Sequence, residues 1–402
     1  MVLEIPKYAA DVISALENEG YEAYAVGGCV RDALLGREPN DWDVTTSALP
    51  EAVNGLFSRL NGYTAIPTGV AHGTVTVLSG GMPVEVTTYR IDGEYTDFRR
   101  PDSVEFCREL PLDLARRDFT VNAMAYSDRS GLVDLYGGTD DLKNRVIRCV
   151  GDPERRFTED ALRILRALRF SATLGFAIEH ETANAAVKLR GLLSHVSRER
   201  IGSELGKLIC QSGAAAAVRD FEDIFREILP GLNITKKVVS SVERLHGEPL
   251  ALMLAALFGD TEAGKIPDLL RFCRFDNKTV ARIKAISNSR GAVLDGKADV
   301  KRLCRDIGMA ASEDAVRLGV ARDELEKTVL DLILEVKENG ECVSVAGLAV
   351  RGEDLLALGV APRDIGSLLY MLLDGVIEGN IKNERDALIA AAKRQTYNCL
   401  EK

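Results

Sequence analysis

The chain has 402 residues, of which 46% are hydrophobic and 28% charged, with a formal net charge of −10. That length provides for roughly two to four structural units with a sizeable core, and no run approaches the roughly 20 apolar residues that cross a bilayer, so no membrane partner is expected. Eight cysteines, none closer than 31 residues to the next, exclude a zinc site or disulfide framework as an expectation; with an N-terminus that lacks a signal-peptide apolar region, they point to a reducing, cytoplasmic setting.

From the N-terminus, an amphipathic helix over 9–16 precedes a strand over 21–26, the paired glycines Gly27 and Gly28, and a helix starting over 30–35. Asp41 and Asp43 come next. Side chains two apart on an extended strand share a face, so these carboxylates can hold a divalent cation between them. Hard oxygen ligands of this kind suit Mg²⁺, with substrate phosphates and water completing its octahedron. Backbone N–H groups at the glycine turn can cradle a triphosphate, and Arg31 adds fixed positive charge. Each part also has an ordinary reading: Asp-x-Asp occurs in solvated turns, and paired glycines serve turns that need a positive φ. In the order strand, Gly-Gly, Arg-Asp, Asp-x-Asp, the set points to metal-dependent nucleotidyl transfer.

Residues 75–78, 84–88 and 104–106 are short and β-rich, bounded by Gly80-Gly81 and Pro101, as in an α/β head. Glu85 takes an alternate position on the second of these; a glutamate there is ordinarily a solvated face. The polar stretch 90–101 around Gly93 predicts a surface loop, ordinarily a plain connector. Then Arg116, Arg117, Asp118, Thr120 and Asn122 crowd into seven positions. Such groups suit a ribonucleotide, arginines meeting phosphates and a carboxylate accepting from ribose hydroxyls. A charged turn entering a helix, with Asp118 as cap or ion-pair partner, has the same composition.

From about residue 159 the pattern turns helical, with apolar residues at helical spacing over 162–174, 180–193, 198–209, 214–228 and 249–258. A glycine-containing stretch over 287–299 separates two helical units. Although the whole chain is acidic, eight basic residues stand against four acidic ones between Lys143 and Ser171, predicting a local basic surface for RNA. Glu159 and Asp160 predict the start of a helix, where acidic residues favour the dipole. Ala161, Leu162, Leu165, Leu168 and Ala172 share its apolar face, with Glu159, Asp160, Arg163 and Arg166 opposite.

Ion pairs along an amphipathic helix account for that charge pattern. Base recognition accounts for it too. Cytosine and adenine each present an amine that donates beside a ring nitrogen that accepts, and uracil and guanine present the reverse. Asp160 as acceptor next to Arg163 as donor would take C and A and refuse U and G. Each buried polar group left unpaired by a wrong base costs on the order of 1–3 kcal/mol.

These segments resemble the class II tRNA nucleotidyltransferases, the CCA-adding enzymes, whose class also holds the bacterial poly(A) polymerases. The resemblance rests on Gly27-Gly28 through Asp41 and Asp43, on 116–125 (Arg-Arg-Asp-Phe-Thr, then Asn-Ala-Met-Ala), on the Glu-Asp-x-x-Arg of 159–163, and on 166–176 and 198–207. A looser match runs through 352–356 and 374–386.

It implies an α+β chain: a nucleotidyltransferase α/β head over 1–149, then an all-helical neck (150–211) with the base-recognition helix, a body (212–290) and a tail (291–402), the last two binding RNA. It implies tRNA as partner, CTP and ATP as substrates, and a metal site to which Glu85 adds a third carboxylate. It implies nucleotide contacts from Gly27, Gly28, Arg31, Arg116, Arg117, Asp118, Asn122, Asp160, Arg163, Arg166 and Arg169, with Asp118 and Arg117 selecting the ribose and holding the triphosphate.

A flexible loop over 90–101 goes with full CCA addition in this class, and its loss with CC addition alone. The rivals are CC-only or A-only addition, and poly(A) polymerisation, which often comes with a longer basic tail than the stretch ending at Lys402. Outside enzymes the rival is a catalytically inactive RNA-binding protein on the same scaffold, against which the intact Asp41 and Asp43 speak. The His-Asp phosphohydrolase domain of some relatives is not expected, since 254–260 has no histidine.

Overall fold

The computed structural model describes residues 2–93 and 104–400. Most of the expected loop over 90–101 lies outside the described residues. By contact density the chain divides into two compact units, 1–230 and 231–402.

In the first unit the strands are β1 (Ala23–Val26), β2 (Asp43–Thr46), β3 (Tyr63–Gly69), β4 (Thr74–Ser79), β5 (Met82–Thr88), β6 (Arg90–Asp92), β7 (Val104–Phe106), β8 (Met124–Ser127), β9 (Gly131–Asp134) and a short parallel pair, β10 (Val146–Ile147) with β11 (Ala177–Ile178). Seven make one sheet in the order β3-β4-β5-β2-β1-β8-β9, and β6 pairs with β7 separately. Within the sheet β2 and β5 run parallel, and the other neighbours antiparallel.

Strict alternation along β2, β4 and β5 gives the sheet two different faces. Val44, Val75, Val77, Val84 and Val86 are fully buried on the side of the helices Lys7–Asn18 and Pro50–Arg59, which contribute Val12, Leu16, Val53 and Phe57 to the same core. The intervening residues Asp43, Thr45, Glu85 and Thr87 therefore line the opposite, polar face. This pleat alone decides where the chemistry of the head can lie.

One expected boundary is corrected. Glu159 ends the helix Pro153–Glu159 rather than starting the next, and the helix expected to carry base recognition runs Leu162–Leu174. Asp160 sits between them in extended conformation, φ −139° and ψ 102°, and its Oδ1 accepts from the Leu162 amide at 3.1 Å. An aspartate that bonds a backbone N–H two residues on favours a cap over helix interior, which breaks the run. The expected polar face is not solvated either, because Arg163 is as buried as the leucines beside it.

Two further runs divide: 180–193 into the helix His180–Lys188 and a 3-10 turn Arg190–His195, and 214–228 into Ala214–Asp220 and Glu222–Ile228.

The second unit is helical. Val300, Cys304, Val316, Ile333 and Val336 form one buried cluster, and Leu355, Leu372, Leu373, Leu388 and Ala392 another. Among the described residues no helix is long and apolar enough to cross a membrane, and the seven described cysteines are all free.

The 3-10 turn Thr120–Asn122, which carries a predicted nucleotide contact, is braced by the helix Gly138–Asn144, where Asp141 accepts from the Thr120 hydroxyl at 2.6 Å. A Cβ on Gly138 would overlap the Thr120 carbonyl oxygen and come within 2.9 Å of Met124 Cγ. Gly138→Ala should therefore destabilise the first unit by about 1–3 kcal/mol, the usual cost of overpacking. Thermal unfolding against wild type checks it, with an unchanged melting temperature as the contrary result.

Candidate active site

The parallel register of β2 and β5 sets Asp43 beside Glu85, and Asp41 lies two residues before the start of β2. Burial raises the Asp43 pKa to about 6, the charges of Asp41 and Glu85 add to the rise, and Arg117 opposes it. Three carboxylates that hold a proton on one of their number form a site short of positive charge. Among the described residues no three His, Cys, Asp or Glu side chains close into a metal cage. A small hard divalent ion held here by carboxylates would share its coordination with phosphates and water. The donor set fits such an ion.

The glycine turn lies at one end of this face. Gly27 has φ +83°, and a Cβ there would stand 3.1 Å from Arg117 Nη1, so glycine serves both the backbone and the arginine's approach. Arg117 also donates to Asp113 at 3.1 Å, while its Nε is buried without a hydrogen-bond partner. A buried guanidinium nitrogen left unpaired between a glycine turn and an acidic cluster is a donor awaiting an acceptor. Arg31 is placed differently from a free phosphate clamp. It is buried, chelated by Asp32 at 2.9 and 2.8 Å, and donates to Asn122 Oδ1 at 2.6 Å.

Sequence reasoning left Asp113 without a role. The structure makes it the anchor of the second motif: fully buried, it accepts from Arg116 at 2.9 and 2.7 Å, from Arg117, and from the Thr45 hydroxyl at 3.1 Å. Burial alone would raise its pKa, but Arg117 and Arg116 more than offset this and hold it below the ordinary value. Its spacing of three and four residues from the arginines was a readable signal.

Asp118 is likewise saturated. Oδ1 accepts from the Phe119 amide and Asn122, at 2.9 and 3.2 Å, and Oδ2 takes two bonds from Arg166, at 2.8 and 2.6 Å. Burial works against its charge, yet Arg166, the charge of Arg163 and Asn122 bring the pKa down to about 2. With all four lone-pair sites engaged, a ribose hydroxyl would have to displace one of these bonds or meet Arg166 instead.

The structure does not pair Asp160 with Arg163. Asp160 Oδ2 accepts from Arg200 at 2.8 Å. Arg163 Nη1 donates to Glu159 at 2.7 Å and to the Arg156 carbonyl at 3.1 Å, and its Nη2 to the Arg116 carbonyl at 2.9 Å. Arg169 is held by Glu204 at 2.6 Å. Arg200 and Glu204, on the helix Arg198–Ile209, were missed because no local spacing links them to 160 or 169.

The basic segment 143–171 is also more fully ion-paired than its composition predicts. Glu159 alone serves Arg155, Arg156 and Arg163, and Arg148 bridges Asp141 and Glu179.

An acidic strand pair facing a glycine turn, backed by tethered arginines, defines a nucleotidyltransferase site. The comparisons agree. The family profile described as "Poly A polymerase head domain" matches residues 23–148, and "Probable RNA and SrmB- binding site of polymerase A" matches 175–235. A CCA-adding enzyme of Lactobacillus delbrueckii subsp. bulgaricus is 38% identical over 394 residues, covering 96% of this chain and 97% of the relative. One from Levilactobacillus brevis is 38% identical, covering 95% and 96%. The crystal structure of the Bacillus stearothermophilus CCA-adding enzyme in complex with CTP superposes with a TM-score of 0.83 at 31% identity, covering 98% of each chain. The chain belongs to the CCA-adding enzymes, which are tRNA nucleotidyltransferases, a family that uses divalent metal.

The raised pKa of Asp43 has a consequence for stability. Because the folded chain binds this proton more tightly than the unfolded one, the contribution of Asp43 is favourable at low pH and is lost as pH rises through about 6. Asp43→Asn should therefore stabilise the metal-free protein at pH 8 by on the order of 2 kcal/mol, with the gain shrinking toward pH 5. The same variant should lose nucleotidyl transfer. Thermal unfolding in chelator across this pH range checks the first statement, and a melting temperature that falls in the variant at pH 8 would contradict it.

Proposed function

We propose that Asp41, Asp43 and Glu85 hold Mg²⁺ while CMP, CMP and AMP are transferred in turn from CTP and ATP to the 3′ end of tRNA, with release of pyrophosphate, in the cytoplasm. The observation that carries this reading is the Asp41–Asp43–Glu85 cluster, with its raised Asp43 pKa, on the sheet face whose glycine turn Arg117 approaches. When bound, the ion would favour the ionised 3′-hydroxyl and neutralise charge on the phosphates.

The protein's own part is placement. Gly27 and Gly28 let the triphosphate approach the backbone, and Arg117, with Arg116 beside it, meets its oxygens. Asp113 fixes both guanidinium planes, so no reorganisation is needed as charge builds on the leaving pyrophosphate. Asp118, through Arg166 and Asn122, faces the ribose. The 3′-hydroxyl of the RNA then attacks the α-phosphorus, and the bond to the bridging oxygen breaks.

For the base, separate tethering of Asp160 and Arg163 favours the templating role. Two groups that satisfied each other would have nothing left for a nucleobase. Here Arg200 and Glu159 hold them separately, which fixes orientation and leaves further lone pairs on Asp160 for the incoming amine.

Asp41→Ala or Asp43→Ala should abolish incorporation of both C and A while tRNA binding survives. Extension of tRNA lacking its 3′ end, read by product length, checks this, and near wild-type extension by the double variant would sink the metal assignment. Asp160→Ala or Arg163→Ala should slow correct addition and admit UTP and GTP, narrowing discrimination about five- to a hundredfold, since each lost hydrogen-bond match carries about 1–3 kcal/mol. Competition among all four nucleotides decides it; reduced stability with unchanged preference would mean a purely structural role.

A further inference from the structure

Three of the arginines around the site converge on one aromatic ring. The guanidinium carbons of Arg31, Arg166 and Arg169 lie 5.2, 5.2 and 4.2 Å from the centroid of Phe170. Arg31 comes from the helix that follows the glycine turn, whereas Arg166, Arg169 and Phe170 belong to the neck helix. The ring is buried, with 7% of its surface accessible, and Phe119 meets it nearly edge-on at 5.8 Å and 77°.

Each arginine has its own carboxylate: Asp32, Asp118 and Glu204 respectively. Those carboxylates neutralise the charges one by one but do not bring the three guanidinium groups to a common centre, where they repel one another. An aliphatic side chain of this size would fill the space and leave the repulsion standing. An aromatic ring offers a face of partial negative charge, and its attraction for cations strengthens when water is excluded.

We propose that Phe170 is a positioning residue for nucleotide binding: its ring gathers Arg31 and Arg166 and fixes the phosphate-side helix of the head against the ribose-side helix of the neck. Phe170 does not meet the reacting atoms. It acts through the arginines, so its removal weakens the hold on CTP and ATP alike without changing which base is chosen. This rests on the reading that these arginines serve the bound nucleotide.

The test replaces Phe170 by mono-, di- and trifluorophenylalanine, which drains the negative face of the ring with little change of shape. KM for CTP and for ATP should rise stepwise, reaching about tenfold with the trifluoro ring, while kcat stays within about twofold and the melting temperature holds. Phe170→Leu should raise KM at least as far, and Phe170→Trp should restore it; if the leucine variant does not fold, the fluorinated series alone decides. A flat KM across that series overturns the proposal and makes the ring a filler. Arg31→Gln and Arg166→Gln, measured alongside, separate the two levels. If they leave KM unchanged, the nucleotide-binding reading of the arginines fails; if they raise KM while fluorination does not, only the role of the ring fails.

Discussion

Every arginine that the neck and the second motif bring to the site is tied to a carboxylate, and the rest of the site depends on that tethering. Asp113 takes Arg116 and Arg117, Asp118 takes Arg166, Glu159 takes Arg156 and Arg163, Glu204 takes Arg169, and Asp160 takes Arg200. A buried guanidinium without such a partner would cost several kcal/mol in desolvation, and removing one member of a buried pair is correspondingly severe. The tethers let a chain of net charge −10 collect cationic groups in one buried region. They also hold those groups in place before the substrate arrives.

The metal side of the site is built on the opposite principle. Asp43 is buried, has two carboxylates beside it and only the partial offset of Arg117, which is why its proton is held up to about pH 6. Here the fold tolerates an unfavourable cluster that a cation and its nucleotide would relieve. Function and stability pull against each other at this residue, as they do wherever a site is arranged for a ligand rather than for the folded chain. The two halves meet at Arg117, whose Nη2 is anchored on Asp113 while its Nε faces no partner.

The neck shows how an ordinary helical pattern can hide a site. Between Pro153 and Leu174 the apolar spacing continues almost without interruption, yet Asp160 breaks it by capping the following helix. That elbow turns Glu159 back toward three arginines and leaves the Asp160 carboxylate to Arg200. Ion pairing within the helix was the plainer explanation of the charges. It holds for Glu159 with Arg155, Arg156 and Arg163, whereas Asp118 and Glu204, which hold Arg166 and Arg169, come from other parts of the chain.

What the sequence determined by itself was local. The alternation of β2, β4 and β5, the glycine turn, the spacing of Asp41 and Asp43, and the three- and four-residue offsets from Asp113 to its arginines are all written in neighbouring positions, because strand and helix periods act over two to four residues. The family motifs, dense over 20–210, were legible for the same reason. The tertiary structure decided everything that joins distant segments: Glu85 beside Asp43 through a parallel pair, Arg200 on Asp160, Glu204 on Arg169, and Arg31 over the ring of Phe170. No periodicity reaches across 35 or more residues. Which charge finds which partner there follows from how the sheet and the neck helices pack, and burial then makes each choice obligatory.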